Sequence, residues 1–241
     1  MRCTNNEFVS AIIVAGGKGE RLGRDVRKQY IKLGAHTILG HTLRVFAELD
    51  EVCEIIVVVP PDDIEFVMVG LRAELEELVD AKPILLVEGG KTRQESAMAG
   101  VVAVDFSSTL VLIHDAARPF AQKCDIRRVM QKARECGGAI LAVPVPDTLK
   151  RCDNTGFIKE TVPRSELYAA QTPQAFDADK IRFAHNLAAE QNITATDDAM
   201  LFEQLGYEVA VVEGSRLNIK ITTEEDLLIA QALLEVFHEE Y

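Results

Sequence analysis

Phe8-Val9-Ser10-Ala11-Ile12-Ile13-Val14-Ala15-Gly16-Gly17-Lys18-Gly19-Glu20-Arg21-Leu22-Gly23, running on to Arg27-Lys28-Gln29-Tyr30, is the stretch whose reading decides the fold. Its apolar half reads as a buried strand. The strand empties into a loop with three glycines in four positions, and the loop carries Lys18, Arg21, Arg24, Arg27 and Lys28. Glycines let backbone N–H groups approach an anion without a Cβ in the way, and the cations neutralise it. Strand, glycine loop and cations together suggest a site for a phosphorylated ligand, with a structural turn as the alternative. A P-loop is excluded, because Gly-Lys-Ser/Thr does not follow four residues after a glycine. A dinucleotide fingerprint is disfavoured, because Gly23 is out of step with Gly17-x-Gly19 and the acidic pair Asp62-Asp63 lies too far along for the ribose.

Working outward, the 241 residues, 48% hydrophobic, suit one large α/β domain spanning 1–241. A net charge of −12 argues against a nucleic-acid partner, which would need a basic face. An acidic protein that binds an anion must concentrate its cations locally, as the opening loop does. Cys3, Cys53, Cys124, Cys136 and Cys152 show no paired short spacing and read as reduced thiols. No apolar run reaches a membrane span and the N-terminus shows no signal-peptide core, so a cytoplasmic or plastid-type compartment is expected.

Along the chain, strands are expected at Phe8–Val14, Ile55–Val59, Ile84–Val87, Leu110–Ile113, Ala139–Val143 and Tyr207–Val212. Thr37 caps a helix to about Ala47 with Ile38, Leu39, Leu43 and Phe46 inward, and one acidic helix follows Pro60-Pro61 to Val79. Further helices are expected to about Val104, over Ile126–Cys136, Asp179–Gln191 and Asp197–Leu205, and after a Thr223 cap; Gly214–Thr222 reads as a loop and short strand. Strands alternating with amphipathic helices predict a mainly parallel sheet in a three-layer α/β/α sandwich. Ligands of such sheets sit at the carboxyl ends of strands, where the loops carrying Gly16-Gly17, Gly89-Gly90 and His114-Asp115 converge. The alternation breaks at Pro144. The turn Asp153-Asn154-Thr155-Gly156 between two short extended pieces predicts a β-hairpin arm over about 144–170. Such an arm buries little by itself, so packing on a second copy predicts a homodimer, with a hairpin folded onto its own domain as the alternative.

These motifs resemble the 2-C-methyl-D-erythritol 4-phosphate cytidylyltransferase family, within the glycosyltransferase-A-like nucleotidyltransferases, over nearly the full length. The marks are Ala15-Gly16-Gly17-Lys18-Gly19-Glu20-Arg21 with Lys28-Gln29-Tyr30, Gly89-Gly90-x-x-Arg93-x-x-Ser96, His114-Asp115-Ala116-Ala117-Arg118-Pro119, Pro144-Val145-x-Asp147-Thr148, Arg164 with Gln171-Thr172-Pro173-Gln174, Thr196-Asp197-Asp198, and Asn218-Ile219-Lys220.

The resemblance implies a Rossmann-like nucleotide-diphospho-sugar transferase fold. It also implies transfer of a cytidylyl group from CTP to methylerythritol 4-phosphate with release of pyrophosphate. Ribitol 5-phosphate is the rival acceptor, and a non-catalytic nucleotide-binding protein the rival class. On this resemblance Arg21, Lys28 and Lys220 hold the triphosphate and the charge building on it. Asp115 ligates Mg²⁺. Ala15, Gly16, Gly17, Gly19, Gly89, Gly90, Ser96 and Ala116 form the CTP pocket. Arg118, Thr148, Arg164, Thr172 and Thr196 meet the polyol phosphate, with Thr148 and Arg164 reaching a partner's site from the arm. Two positions depart from relatives: Lys91 follows the glycine pair, and Ser215-Arg216-Leu217 stands where some carry a second carboxylate.

Overall fold

The computed structural model describes residues 7–16, 27–79 and 82–239. Strand β1 (Phe8–Val14) precedes a small hairpin of β2 (Lys32–Leu33) and β3 (His36–Thr37), helix α1 (Ile38–Ala47), β4 (Val52–Val59), α2 (Ile64–Gly70) and α3 (Arg72–Val79). Next come β5 (Ile84–Glu88), α4 (Arg93–Ala103), β6 (Ser108–Asp115), α5 (Lys123–Cys136), β7 (Gly138–Pro144), β8 (Leu149–Cys152) and β9 (Ile158–Val162). The chain closes with β10 (Tyr168–Asp177), α6 (Ala178–Gln191), α7 (Asp198–Gln204), β11 (Ala210–Glu213) and α8 (Glu224–Glu239).

Seven strands form one sheet in the order β11-β7-β10-β6-β1-β4-β5. All pairings are parallel except those of β10, which runs antiparallel to both β6 and β7. The apolar run of β1 serves both faces. Val9, Ala11 and Ile13 pack with α1, α3 and α5, while Ile12 and Val14 pack with α4, α6 and α7. A strand covered on both sides has no polar face to alternate with, hence its near-continuous hydrophobicity. Thr37 caps α1 by accepting from Gly40 N at 2.9 Å, and Ile38, Leu39, Leu43 and Phe46 are buried as expected. A smaller cluster of Leu33, Ile38, Phe120, Ile221, Leu227 and Ala230 seats α8.

Four expectations need correction. The acidic helix is two helices, because Gly70 closes α2 at Leu71 before α3 begins; glycine is a poor helix former. β10 stands where no strand is expected, since Gln171, Thr172, Pro173 and Gln174 carry no apolar alternation. Its ladder to β7 skips between Ala170 and Gln174, so the proline sits in an irregularity where no ladder N–H is asked of it. Residues 214–222 contain no strand. Cys53 is disulfide-bonded, whereas Cys124, Cys136 and Cys152 are free; isolated spacings do not reveal pairing.

The arm is a two-stranded antiparallel sheet of its own, β8 with β9. Asp153 builds its turn by accepting from Thr155 N, Thr155 Oγ1 and Phe157 N, and Gly156 takes φ 89°. Phe157 and Ile158 are exposed at its tip. No helix among the described residues is long and apolar enough to cross a membrane.

Gly100 sets how closely α4 lies on the sheet, because a Cβ there would stand 2.4 Å from Ile12 Cγ2 and 3.0 Å from Val58 Cγ2. Gly100→Ala is expected to lower stability by about 1–3 kcal/mol through overpacking. Urea unfolding monitored by circular dichroism measures it, and an unchanged midpoint would contradict this close fit.

Candidate active site

The parallel ladder is extended beyond the strand ends on one edge. Ala15 N donates to Val58 O at 2.8 Å, Gly89 N to Val59 O at 2.7 Å, and Ala116 N to Val14 O at 3.0 Å. The loops after β1, β5 and β6 are thereby held side by side. Ser96, on the first turns of α4, fills the space between Gly16 and Gly89: a Cβ on either would come within 2.9 Å of Ser96 Oγ. Ser96 Oγ itself donates to Thr92 O at 2.9 Å. These contacts frame a cavity of about 330 Å³ whose lining includes Ala15, Gly16, Lys28, Lys91, Arg93, Asp115, Ala116 and Lys220.

Lys28 opens a short turn, Lys28–Tyr30, pinned on both sides. Gln29 donates to Ala15 O at 2.6 Å, Tyr30 donates to Asp63 Oδ2 at 2.9 Å, and Arg27 pairs with the same oxygen at 2.8 Å. At the centre stands Asp115, the last residue of β6. Lys220 Nζ lies 2.7 Å from its Oδ2, Arg93 Nε 3.1 Å from its Oδ1, and Arg118 Nε 3.7 Å from its Oδ2. Burial pushes the Asp115 carboxyl up, but Arg93, Lys220 and Arg118 outweigh it and hold the group well below the usual carboxylate range. Arg93 also gives Nη1 to Asp198 Oδ2 at 2.8 Å. Burial works against its charge, and the two carboxylates more than restore it, so its pKa is raised.

Beneath the carboxylate lies a second network. Thr172 Oγ1 accepts from Asp115 N at 3.0 Å and lies 3.0 Å from His114 Nδ1, while His114 Nε2 faces Arg118 O at 3.0 Å. A carbonyl can only accept, so Nε2 carries the proton. The neutral ring then takes the Thr172 hydroxyl proton at Nδ1. Arg118 donates through Nη1 to Asn218 O at 2.8 Å, and Asn218 Nδ2 donates to Thr172 O at 2.9 Å, tying the loop before Lys220 to β10.

Of the residues expected at the site, Ala15, Gly16, Lys28, Asp115, Ala116 and Lys220 line this cavity. Gly89 and Ser96 border it through the contacts above, and Gly90 O lies 3.5 Å from Ser96 Oγ. Arg118 and Thr172 lie beside it. Thr148 and Arg164 sit apart on exposed arm positions, where Arg164 bonds to Pro146 O. Thr196 is exposed and donates to Met200 Sδ at 3.9 Å. Gly17, Gly19 and Arg21 lie outside the described residues. Arg93 was legible only as a motif member. Its double pairing joins residues 22 and 105 positions apart, which no local pattern encodes.

Burial lowers the His114 pKa from its ordinary value to about 4. Between pH 6.5 and 4 the unfolded chain therefore binds a proton that the folded one refuses, and stability falls as pH falls. The full loss is about 3 kcal/mol and is complete below pH 4. Asp115 adds a separate loss only below its unfolded value, near 3.8. Chemical denaturation across pH 7 to 4.5 should show a shallower dependence in His114→Gln than in the parent. Equal slopes would contradict the neutral buried ring.

The model of the 2-C-methyl-D-erythritol 4-phosphate cytidylyltransferase (IspD) family matches residues 9–236. A protein of that name from Alkaliphilus oremlandii is 44% identical over 235 residues, covering 98% of each chain. One from Halalkalibacterium halodurans is 46% identical over 225 residues, covering 93% of this chain and 96% of the relative. The crystal structure of 4-diphosphocytidyl-2C-methyl-D-erythritol synthase from Anaerococcus prevotii superposes with a TM-score of 0.82 at 34% identity, covering 95% of this chain and 97% of that one.

Proposed function

The chain belongs to the 2-C-methyl-D-erythritol 4-phosphate cytidylyltransferase family, and from that premise we propose how its own residues carry the transfer. It is a nucleotidyltransferase that joins CTP to 2-C-methyl-D-erythritol 4-phosphate in isoprenoid precursor synthesis. A phosphate oxygen of the acceptor attacks the α-phosphorus of CTP. The new O–P bond forms as the bond to the β-phosphate oxygen breaks, and pyrophosphate leaves with that electron pair. The nucleophile is already anionic at neutral pH and needs no base. The protein's task is to bring two anions together and to neutralise charge.

The observation that carries the reading is the pre-assembled cation set around one strand-end carboxylate, in a cavity walled by small residues. Lys28 and Lys220 face the triphosphate, and the family resemblance gives Arg21, which lies outside the described residues, the same task. Gly16, Gly89, Gly90 and Ser96, with Ala15 and Ala116, form the nucleotide wall, and Gly17 and Gly19 belong to the same loop. Small residues let backbone groups come close to the edge of a pyrimidine. Arg118, Thr172 and Thr196 take the polyol phosphate, the guanidinium suiting phosphate through its paired N–H groups.

Asp115 fits Mg²⁺ as a hard-oxygen donor opening onto the cavity, and no group of three or more potential ligands surrounds it among the described residues. That suits an ion held by one carboxylate and completed by water and substrate phosphates. When bound, the ion supplies charge neutralisation on those phosphates. The arm, about 144–170, carries Thr148 and Arg164 into the site of a second copy, so the whole chain works as one cytidylyltransferase unit within a homodimer. Cytoplasmic operation accords with the bacterial relatives.

Pyrophosphate release with CTP and Mg²⁺ should be fast with methylerythritol 4-phosphate and slow with ribitol 5-phosphate. The reverse preference would overturn the acceptor assignment. Lys220→Met is expected to lower kcat by roughly 10²-fold or more, the effect of losing one charge aimed at the transition state. Mixing inactive Lys220→Met with inactive Arg164→Ala under subunit exchange should recover about a quarter of the parent turnover, because half the dimers then hold one intact site. No recovery would remove the arm from the partner's site.

A further inference from the structure

Of the three cations on Asp115, only Arg93 is also held by a second carboxylate among the described residues. Arg118 turns its Nη1 to a neutral carbonyl, Asn218 O. Lys220 has a single charge centre, 2.7 Å from Asp115. Arg93 instead divides its fork, Nε to Asp115 and Nη1 to Asp198. Asp198 is 1% exposed, and its other oxygen meets His185 Nε2 at 3.1 Å; that ring is buried too. The residues on either side of Asp198 are clamped from inside the sheet. Gln174 of β10 donates to Asp197 Oδ2 at 2.9 Å and accepts from Ala199 N at 3.0 Å. Asp198 is thus a fixed anchor, and Arg93 is the link between it and the site.

We propose that Asp198, oriented by His185, is a positioning residue that draws the Arg93 guanidinium partly off Asp115 and so leaves that carboxylate able to accept a divalent cation. The inference rests on the reading of Asp115 as the metal ligand. An arginine committed wholly to Asp115 would form a two-pronged pair with it, the strongest geometry open to the two groups. A cation arriving with the nucleotide would then have to displace that pair. The second carboxylate takes one prong and part of the charge, and the burial of Asp198 keeps water from weakening its hold. His185 supplies a donor that keeps the Asp198 carboxylate turned toward Arg93. The chain His185–Asp198–Arg93–Asp115 runs from between α6 and α7, through the first residue of α4, to the end of β6.

The experiment is equilibrium binding of Mn²⁺ to the enzyme with saturating CTP and no acceptor, read by electron paramagnetic resonance, so that nothing turns over. Asp198→Asn is expected to weaken Mn²⁺ roughly tenfold, in the range seen for groups that orient a ligand from outside the coordination shell. His185→Leu should weaken it in the same direction and by less. His185→Gln, with an amide N–H near the place of Nε2, should restore it. Thermal melting identifies which variants fold, and His185→Leu carries the test should Asp198→Asn fail to. Asp115→Asn separates the two readings. If it leaves Mn²⁺ affinity unchanged, the metal assignment falls and this inference falls with it. If Asp115→Asn weakens Mn²⁺ while folded Asp198 and His185 variants bind it like the parent, the positioning role alone is overturned.

Discussion

The site depends on one carboxylate holding three cations in place. Arg93 begins α4, Arg118 lies in the loop after β6, and Lys220 lies beyond β11, far apart in sequence; each points its charge at Asp115. Without that acid, three positive groups in a part-buried space would repel one another, with Asp198 left as the one carboxylate among the described residues still pairing with any of them. With it, they are gathered at the strand end before any substrate arrives. A chain of net charge −12 needs such a device, since its average field repels a nucleotide triphosphate and only a local excess of cations attracts one.

The reversed strand β10 makes the gathering possible. It is inserted between β6 and β7, so residues 171–174 approach the site from within the sheet rather than from a loop. Thr172 then reaches the backbone of Asp115 and the ring of His114, Gln171 donates to Ser215 O at 2.9 Å, and Gln174 clamps the start of α7. A parallel strand in this place would need a crossover and would present these positions along the opposite direction. The polar side chains that hide β10 in the sequence are therefore the ones with work to do at its centre. Each finds a partner there, Thr172 in Asp115 and His114, Gln171 in Ser215, Gln174 in Asp197 and Ala199, which is why they can be buried at all.

This explains what the sequence reveals and what it hides. β1, β4, β6 and α1 announce themselves because apolar runs and a threonine cap are local signals with local causes. The convergence of glycine and aspartate loops on one edge is legible from topology alone. Arg93 and Asp198 are different. Both stand in family motifs, Arg93 after Gly89-Gly90 and Asp198 after Thr196-Asp197, yet the reason they matter is a bond between them, and period and propensity do not register bonds across a hundred residues. His185 is harder still: an α6 histidine looks like a helix-face residue until its carboxylate partner is placed beside it. The disulfide of Cys53 escapes for the same reason.

Two anions must meet here, and that sets how much order the protein must hold in advance. Each phosphate oxygen brought near another raises the energy of the encounter. A flexible cation that turned inward only on binding would surrender part of its attraction as lost side-chain freedom. Fixing Lys220, Arg93 and Arg118 on Asp115 meets that cost during folding instead. It carries its own hazard, because cations held too firmly by the protein's acid are not free for the substrate and leave no room for a metal. A single carboxylate facing three positive groups is an imbalance that keeps every pairing partial. On the role proposed for it, the second acid on Arg93 tunes that balance further, sharing one cation between two carboxylates so that the pairing on Asp115 is held before a nucleotide arrives without being complete.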